Sequence, residues 1–282
     1  MHKGTLIVVA VIGGGKIGEA VGRSIAKSVK VSRVIITRRN LTKSRASLTH
    51  PLAGENHQKK IEFTTDNKHA ADKSDLIIIA VKAGDAKQVL EEISKSCKGK
   101  IVISLMAAIA IKRLENALPD SKIVRAMPNI AAVIGEAITA YSLGHNLTKQ
   151  DEEEVKFVLE SFGDSIEVQE SLMDAVTGLS GSGPGYIAVL IEAMVSAGLK
   201  VGLPRDVAFK LVTKTLTGTA DLLENSKVHP AELRDTVTTP AGTTIAGIYE
   251  LEKGSFRTSI MNAVEAATLA AEKVAKKFDS ES

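Results

Sequence analysis

Leu6-Ile7-Val8-Val9-Ala10-Val11-Ile12 runs directly into Gly13-Gly14-Gly15-Lys16-Ile17-Gly18, and an amphipathic stretch then continues to Ser28. An apolar run of strand length, a Gly-x-Gly-x-x-Gly turn and a helix make the first unit of a dinucleotide-binding fold. Gly13 permits the tight turn, Gly15 lets a pyrophosphate approach the backbone, and Gly18 lets the helix lie close to the strand. A second apolar run, Val34-Ile35-Ile36, arrives at the distance expected of the next parallel strand. Met1-His2-Lys3 ahead of the apolar run also fits the start of a secretory signal. The run is short, however, and leaves through a glycine turn rather than a small-residue cleavage site.

After the second strand the chain reads Thr37-Arg38-Arg39-Asn40, where an NAD-preferring protein would place an acid to accept from the ribose 2′-hydroxyl. Two arginines and a threonine, Thr37, there suit a 2′-phosphate, so NADP(H) is the expected cofactor. Lys43 and Arg45 extend the positive run, which also fits a solvated basic loop.

Outward from this motif, strand-like runs fall at 6–12, 34–36, 61–64, 76–81, 101–105, 123–127, 137–141 and 165–168, with helical segments such as 86–96 and 149–161 between them. The alternation predicts an α/β fold with a doubly wound sheet of Rossmann type. From about Ser171 the strand signal ends, and helices are predicted to start near Ser171, Pro184, Pro204, Pro230, Thr243 and Ser255. The expected division is a dinucleotide-binding domain over 1–170 and an all-helical domain for substrate and dimerisation over 171–282. The last helix, Ser255 to Phe278, is rich in Ala, Val and Leu, and partner chains are expected to cover part of it.

Composition narrows the function. With 36 basic against 33 acidic residues, 3% aromatics and no Trp, the chain lacks the charge footprint and stacking groups of a nucleic-acid binder. The most apolar stretch, Tyr186 to Leu203, is interrupted by Glu192 and Lys200 and is read as a buried helix rather than a membrane span. A single cysteine, Cys97, allows no disulfide within the chain and agrees with a reducing, cytoplasmic setting. Histidines at 2, 50, 57, 69, 145 and 229 lack ligand spacing, so no metal is expected. A small-molecule substrate, with no nucleic-acid or membrane partner, is the remaining class.

A second signal lies at Val237-Thr238-Thr239-Pro240-Ala241-Gly242-Thr243-Thr244-Ile245, ahead of a helical pattern that stops at Gly254. Pro240 and Gly242 suit a tight turn, Thr243 can cap, and the first helical turn presents main-chain N–H groups at the positive end of the dipole. A small carboxylate can be held there, with the Thr244 hydroxyl facing it. An ordinary capped helix has the same local chemistry.

These residues together resemble one family, the pyrroline-5-carboxylate reductases. The resemblance runs from Val11 to Val274. Its most specific blocks are Leu179-Ser180-Gly181-Ser182-Gly183-Pro184-Gly185-Tyr186, the run Ala197 to Arg205, and His229-Pro230-Ala231-Glu232-Leu233-Arg234-Asp235 leading to Thr238–Thr244 and Phe256-Arg257. It implies a Rossmann domain, an intertwined all-helical dimerisation domain, and NADPH or NADH as hydride donor for reducing 1-pyrroline-5-carboxylate to L-proline, the last step of proline biosynthesis. A homodimer or a higher oligomer of dimers is implied by the same resemblance. By similarity, the cofactor meets Ile12, Gly13, Gly14, Gly15, Lys16 and Ile17, with Gly18 closing the glycine motif. Arg38 and Arg39, Asn67, Val81 to Gly84 (through Lys82 and Ala83), and Leu105, Met106 and Ala107 complete the cofactor set. Gly242, Thr243 and Thr244 match the loop that holds the substrate, and Thr244 is the expected catalytic residue, orienting the ring nitrogen.

The chain departs from the family pattern at Ala83, Ala108, Ile130, Ala131 and Ala241, where a proline, a glycine or a hydroxyl is usual, and Lys227 stands where an acid often precedes His229-Pro230. Ala108 and Ala241 are strained if their backbone requires positive φ. These changes leave open a related cyclic imine carboxylate as substrate. A 3-hydroxyacid dehydrogenase shares the layout but uses a lysine base, and the corresponding stretch here, Gly178 to Tyr186, has none. A non-catalytic NADP-binding protein is the reading from another class.

Overall fold

A computed structural model describes residues 6–41 and 59–280, with side chains to 276. Lys43, Arg45, His2, His50 and His57 lie outside the described residues. By contact density the chain divides into two compact units, one running to Ser182 and including the last helix from Ala267, the other spanning Gly183–Ala266.

The first unit is built on β1 (Ile7–Ile12), β2 (Val31–Thr37), β3 (Ile61–Thr64), β4 (Leu76–Ile79), β5 (Ile101–Ser104), β6 (Lys122–Pro128), β7 (Ala137–Leu143) and β8 (Gly163–Glu167). They form a single sheet in the order β3-β2-β1-β4-β5-β6-β7-β8. Neighbours are parallel except β6 and β7, which pair antiparallel with Arg125 opposite Ser142. The helices of this unit are α1 (Lys16–Ala26), α2 (Asn67–Asp72), α3 (Ala86–Ile93), α4 (Ile111–Ala117), α5 (Lys149–Glu160) and α6 (Met173–Val176), the last leading into a π-turn over Thr177–Gly181.

Period-two alternation sorts the strand residues onto two buried faces. Val9, Val11, Val34, Ile36, Leu76, Ile78, Ile101 and Ile103 face α1 and α5 through Val21, Ile25, Val155, Val158 and Leu159. Ala10, Ile12, Ile35, Ile77, Ile79 and Val102 face α2, α3 and α4 through Ala70, Val89, Leu90, Ile93 and Leu114. Full burial of each such Val, Leu or Ile contributes about 1.5–3 kcal/mol, which fixes strand register because a slip of one residue would exchange the faces. Helices on both sides of a mostly parallel sheet make this unit doubly wound, as the alternating sequence predicts. Arg125 ties β6 to the segment between β8 and α6 and to α6 itself, through Glu170 at 3.2 Å and Asp174 at 3.6 Å.

Within the second unit, α7 (Gly183–Lys200) and α8 (Arg205–Ser226) pack through Val195, Ala208 and Val212. Their close approach is set at Gly198, where a Cβ would lie 2.8 Å from that of Ala208. Then come α9 (Pro230–Thr236), α10 (Thr243–Lys253) and α11 (Phe256–Ser280), the last counted with this unit only as far as Ala266. The expectation of a buried helix over Tyr186 to Leu203 needs correction: in α7 only Val195 is buried, while Ile187 and Val189 are exposed. The helical run over 170–200 is long and apolar enough to cross a membrane by length and composition alone, a test that an apolar interface or core helix passes equally.

Candidate functional site

The sheet order places the switch of direction between β1 and β4, because the chain leaves β1 for β2 and β3 on one side and returns to β4 on the other. Crevices at the carboxyl ends of strands at such a point are where α/β sheets bind ligands. A cleft of about 410 Å³ opens there. Its wall brings together Gly13, Gly14 and Gly15 with Arg38, Arg39, Asn67, Val81 and Lys82, eight of the positions expected to meet a cofactor.

Local chemistry explains the shape of the turn. Gly13 has φ +103, a conformation in which a side chain is strained, and its N–H donates to Thr37 Oγ1 at 3.0 Å. Gly14 N–H donates to the Thr37 carbonyl at 2.6 Å. Thr37 is 2% exposed and clamps the glycine turn to the end of β2, so its hydroxyl serves the backbone rather than a ligand. A Cβ on Gly18 would stand 2.1 Å from the Gly13 carbonyl oxygen, which is why the helix can follow the strand so closely only with glycine there. Gly15 caps α1 without a side chain, and a Cβ there would meet nothing within 4 Å. The N–H groups of Lys16, Ile17 and Gly18 lack intrahelical acceptors and lie at the positive end of the helix dipole, beside open space. A glycine cradle with donors and no side-chain acceptor fits a pyrophosphate.

The remaining expected positions sit around this wall. The Ile12 and Met106 side chains are buried in the core, leaving only their main chain to face a ligand. Ala83 and Gly84 form a 3₁₀ turn with Asp85, ahead of α3. Leu105 comes directly after β5 and donates its N–H to the Ile79 carbonyl at 2.8 Å, which sets Leu105, Met106 and Ala107 beside the end of β4.

The two arginines are held differently. Arg38 is almost buried and pairs with Glu19, which also accepts from Arg23 Nε at 2.9 Å and Nη2 at 2.6 Å. Its guanidinium stacks over Phe63 at 5.4 Å from the ring centre. Its Nε is buried without a hydrogen-bond partner. Burial lowers the pKa of both Arg23 and Arg38, and Glu19 compensates two cations at once. Arg39, in contrast, is 83% exposed and reaches Asp85 at 2.5 Å. Asn67 donates from its side chain to Glu92 at 2.8 Å. Thr37, read with the arginines as suiting a 2′-phosphate, holds the glycine turn instead, and Glu19 and Asp85 were not among the expected site residues; the only signal for Asp85 is its place beside the Val81-Lys82 segment.

In the second unit, Gly242 is the N-cap of α10 and no side chain caps it. Thr243, expected to cap, is instead the first helical residue. A Cβ on Gly242 would lie 2.3 Å from Thr239 Oγ1, so only glycine fits the turn that Gly242 N–H closes onto the Thr239 carbonyl at 2.9 Å. The left-handed residue of this turn is Ala241, with φ 59. Thr244 is half-buried one residue into the helix. The first-turn amides of Thr243, Thr244 and Ile245 thus have neither a capping side chain nor an intrahelical acceptor.

Cys97 is fully buried, and desolvation pushes its thiol up to about 12, against the opposing effect of Lys100, so it is not a nucleophile at neutral pH.

Comparison with known proteins gives the same picture over nearly the whole chain. Residues 170–274 match the pyrroline-5-carboxylate reductase dimerisation family, and residues 8–108 match the family described as NADP oxidoreductase, coenzyme F420-dependent. The chain is 37% identical to a pyrroline-5-carboxylate reductase of Synechocystis, over 96% of this chain and 99% of that one. It is 39% identical to the Arabidopsis thaliana enzyme of the same name, over 92% of each. Among solved structures, the Plasmodium falciparum pyrroline carboxylate reductase with NADP bound aligns with a TM-score of 0.83 at 30% identity, covering 96% of this chain and all of that one. The two-part architecture, the glycine cradle at the switch point and this similarity along both parts place the chain in the pyrroline-5-carboxylate reductase family.

Proposed function

We propose that the chain reduces 1-pyrroline-5-carboxylate to L-proline with NADPH, or with NADH, as hydride donor. The observation that carries this is similarity to an enzyme of that name over 96% of this chain and 99% of the relative, joined to a cleft whose glycine turn fits a pyrophosphate. When bound, the nicotinamide nucleotide supplies the hydride. The chain's own residues bind and orient. Gly13 to Gly15 shape the turn so that the amides of Lys16, Ile17 and Gly18 offer main-chain donors to the pyrophosphate, Arg39 offers an exposed guanidinium to a 2′-phosphate, and Arg38 forms a wall held by Glu19 and Phe63. Asn67, the turn from Val81 to Gly84, and the main chain at Ile12 and from Leu105 to Ala107 complete the nucleotide's surroundings.

In the loop of Gly242, Thr243 and Thr244, Gly242 shapes the turn and the amides opening α10 at Thr243, Thr244 and Ile245 hold the substrate carboxylate, as helix N-termini hold anions generally. The Thr244 hydroxyl orients the ring nitrogen. A cyclic imine is basic enough to arrive protonated or to take its proton from water, so the work asked of the protein is mainly alignment. Residues 1–170 then serve the nucleotide, and residues 171–282 serve substrate binding and pairing into a homodimer or an oligomer of dimers. We place the enzyme in the cytoplasm.

Loss of NADPH absorbance on adding pyrroline-5-carboxylate tests the reaction. Thr244→Ala is expected to lower turnover about 10- to 100-fold while NADPH binding survives, the range for loss of one orienting hydrogen bond. An unchanged rate removes Thr244 from the mechanism.

A further inference from the structure

The ribose end of the cleft holds one carboxylate among the described residues that line it, and this is Asp85. Asp85 occupies the position just before α3, where an aspartate ordinarily turns back to cap the first amides, yet its side chain makes no cap bond. It reaches instead across the cleft to Arg39 Nη2 at 2.5 Å. No acid stands at the end of β2 in Thr37-Arg38-Arg39-Asn40, the usual source of an acceptor for a free 2′-hydroxyl. The next crossover along the cleft supplies one.

We propose that Asp85 is a specificity-determining residue for the nucleotide: its carboxylate opposes a 2′-phosphate, accepts from a free 2′-hydroxyl, and so keeps NADH usable beside NADPH. The inference rests on the cofactor reading of this cleft. Arg38 is buried against Glu19, so Arg39 is the guanidinium able to turn toward a phosphate. To do so it must leave Asp85, and the freed carboxylate then stands close to a group carrying about −1.5 to −2 charges. A nucleotide without that phosphate leaves the Arg39–Asp85 pair intact. Asparagine keeps the shape of Asp85 and removes the charge, freeing Arg39 from its partner.

Dissociation constants for NADPH and NADH, measured by calorimetry on the full-length chain, test this. Asp85→Asn is expected to tighten NADPH about tenfold and to weaken NADH severalfold, with an unchanged melting temperature because no cap is lost. Arg39→Gln is expected to weaken NADPH about tenfold with little effect on NADH, and to erase most of the NADPH gain when combined with Asp85→Asn. A ratio of the two constants that stays put, or moves toward NADH, in a folded Asp85→Asn protein overturns the proposal alone. Failure of the unaltered chain to bind either nucleotide overturns the cofactor reading beneath it.

Discussion

Ala108 has φ 66 and Ala241 has φ 59, so both departures from the family's glycines fall where the backbone is left-handed. An L-residue in that region is destabilised by about 1–2 kcal/mol, and glycine removes the strain at a smaller entropic cost in the unfolded chain. Ala108→Gly and Ala241→Gly are each therefore expected to raise stability by roughly 0.5–1 kcal/mol, seen as a higher urea midpoint at an unchanged slope. A lower midpoint for either would mean that its surroundings, not its backbone, favour the methyl group. Positions such as these were legible because the resemblance to the family supplies a glycine to compare with the alanine that stands here. The roles of Glu19 and Asp85 were not, since each finds its arginine on a different element and nothing in the spacing announces the pair. Thr243 shows a third case: a threonine at a helix start reads as a cap, but the helix begins one residue earlier in register, leaving Gly242 as the cap and no side chain in that role.

At the scale of elements, the inner strands β1, β4 and β5 could be read from apolar runs because a sheet buried on both faces demands them, whereas edge strand β8, Gly163-Asp164-Ser165-Ile166-Glu167, has no buried residue and gives a much weaker signal. Boundaries were less legible. β2 begins at Val31, ahead of the apolar run from Val34, because Val31 pairs with Ile7 and is buried while Ser32 and Arg33 break the pattern. The antiparallel step from β6 to β7 has no signature in composition, since both strands carry similar residues. Helix α5 has a clearer start: the Thr148 hydroxyl accepts from Asp151 N–H at 3.3 Å, and Asp151 accepts from Thr148 N–H and from Lys122 Nζ, each at 2.8 Å. Desolvation alone would raise the Asp151 carboxyl, but Lys122 and the Thr148 groups outweigh it and hold it below its ordinary value. A depressed folded-state pKa stabilises above the unfolded value of about 3.9 and loses that contribution as pH falls through the folded one. Asp151→Asn is thus expected to cost about 1–2 kcal/mol at pH ~7, with the deficit shrinking below pH ~4. A deficit in urea unfolding that stays constant down to pH ~3 would assign the effect to shape rather than charge.

For the whole molecule, the two units differ in how much they bury. The sheet unit encloses two large clusters of buried side chains, whereas Gly183–Ala266 has a buried core of Val195, Ala208 and Val212 alone. Val189 is 67% exposed, Phe209 55% and Met261 68%, on helices that present many further apolar side chains to solvent. Exposed apolar side chains in this number belong to an interface, and a second copy is the partner that the dimerisation family matched over 170–274 provides. This also accounts for the misjudged burial of α7: apolar periodicity reports what is covered in the assembly, not which chain covers it. If pairing supplies the missing core, melting temperature must rise with protein concentration, because association acts on the folded state by mass action. Val189→Asp and Met261→Glu would each place an unpaired charge in that interface, at a cost of several kcal/mol. Both variants are expected to sediment as smaller species and to lose the concentration dependence of melting, while retaining the far-ultraviolet signal of the sheet unit. Reductase activity should fall with the dimer fraction if the helical half needs a second copy to hold its shape. Variants that remain dimeric and fully active would place the interface on another face.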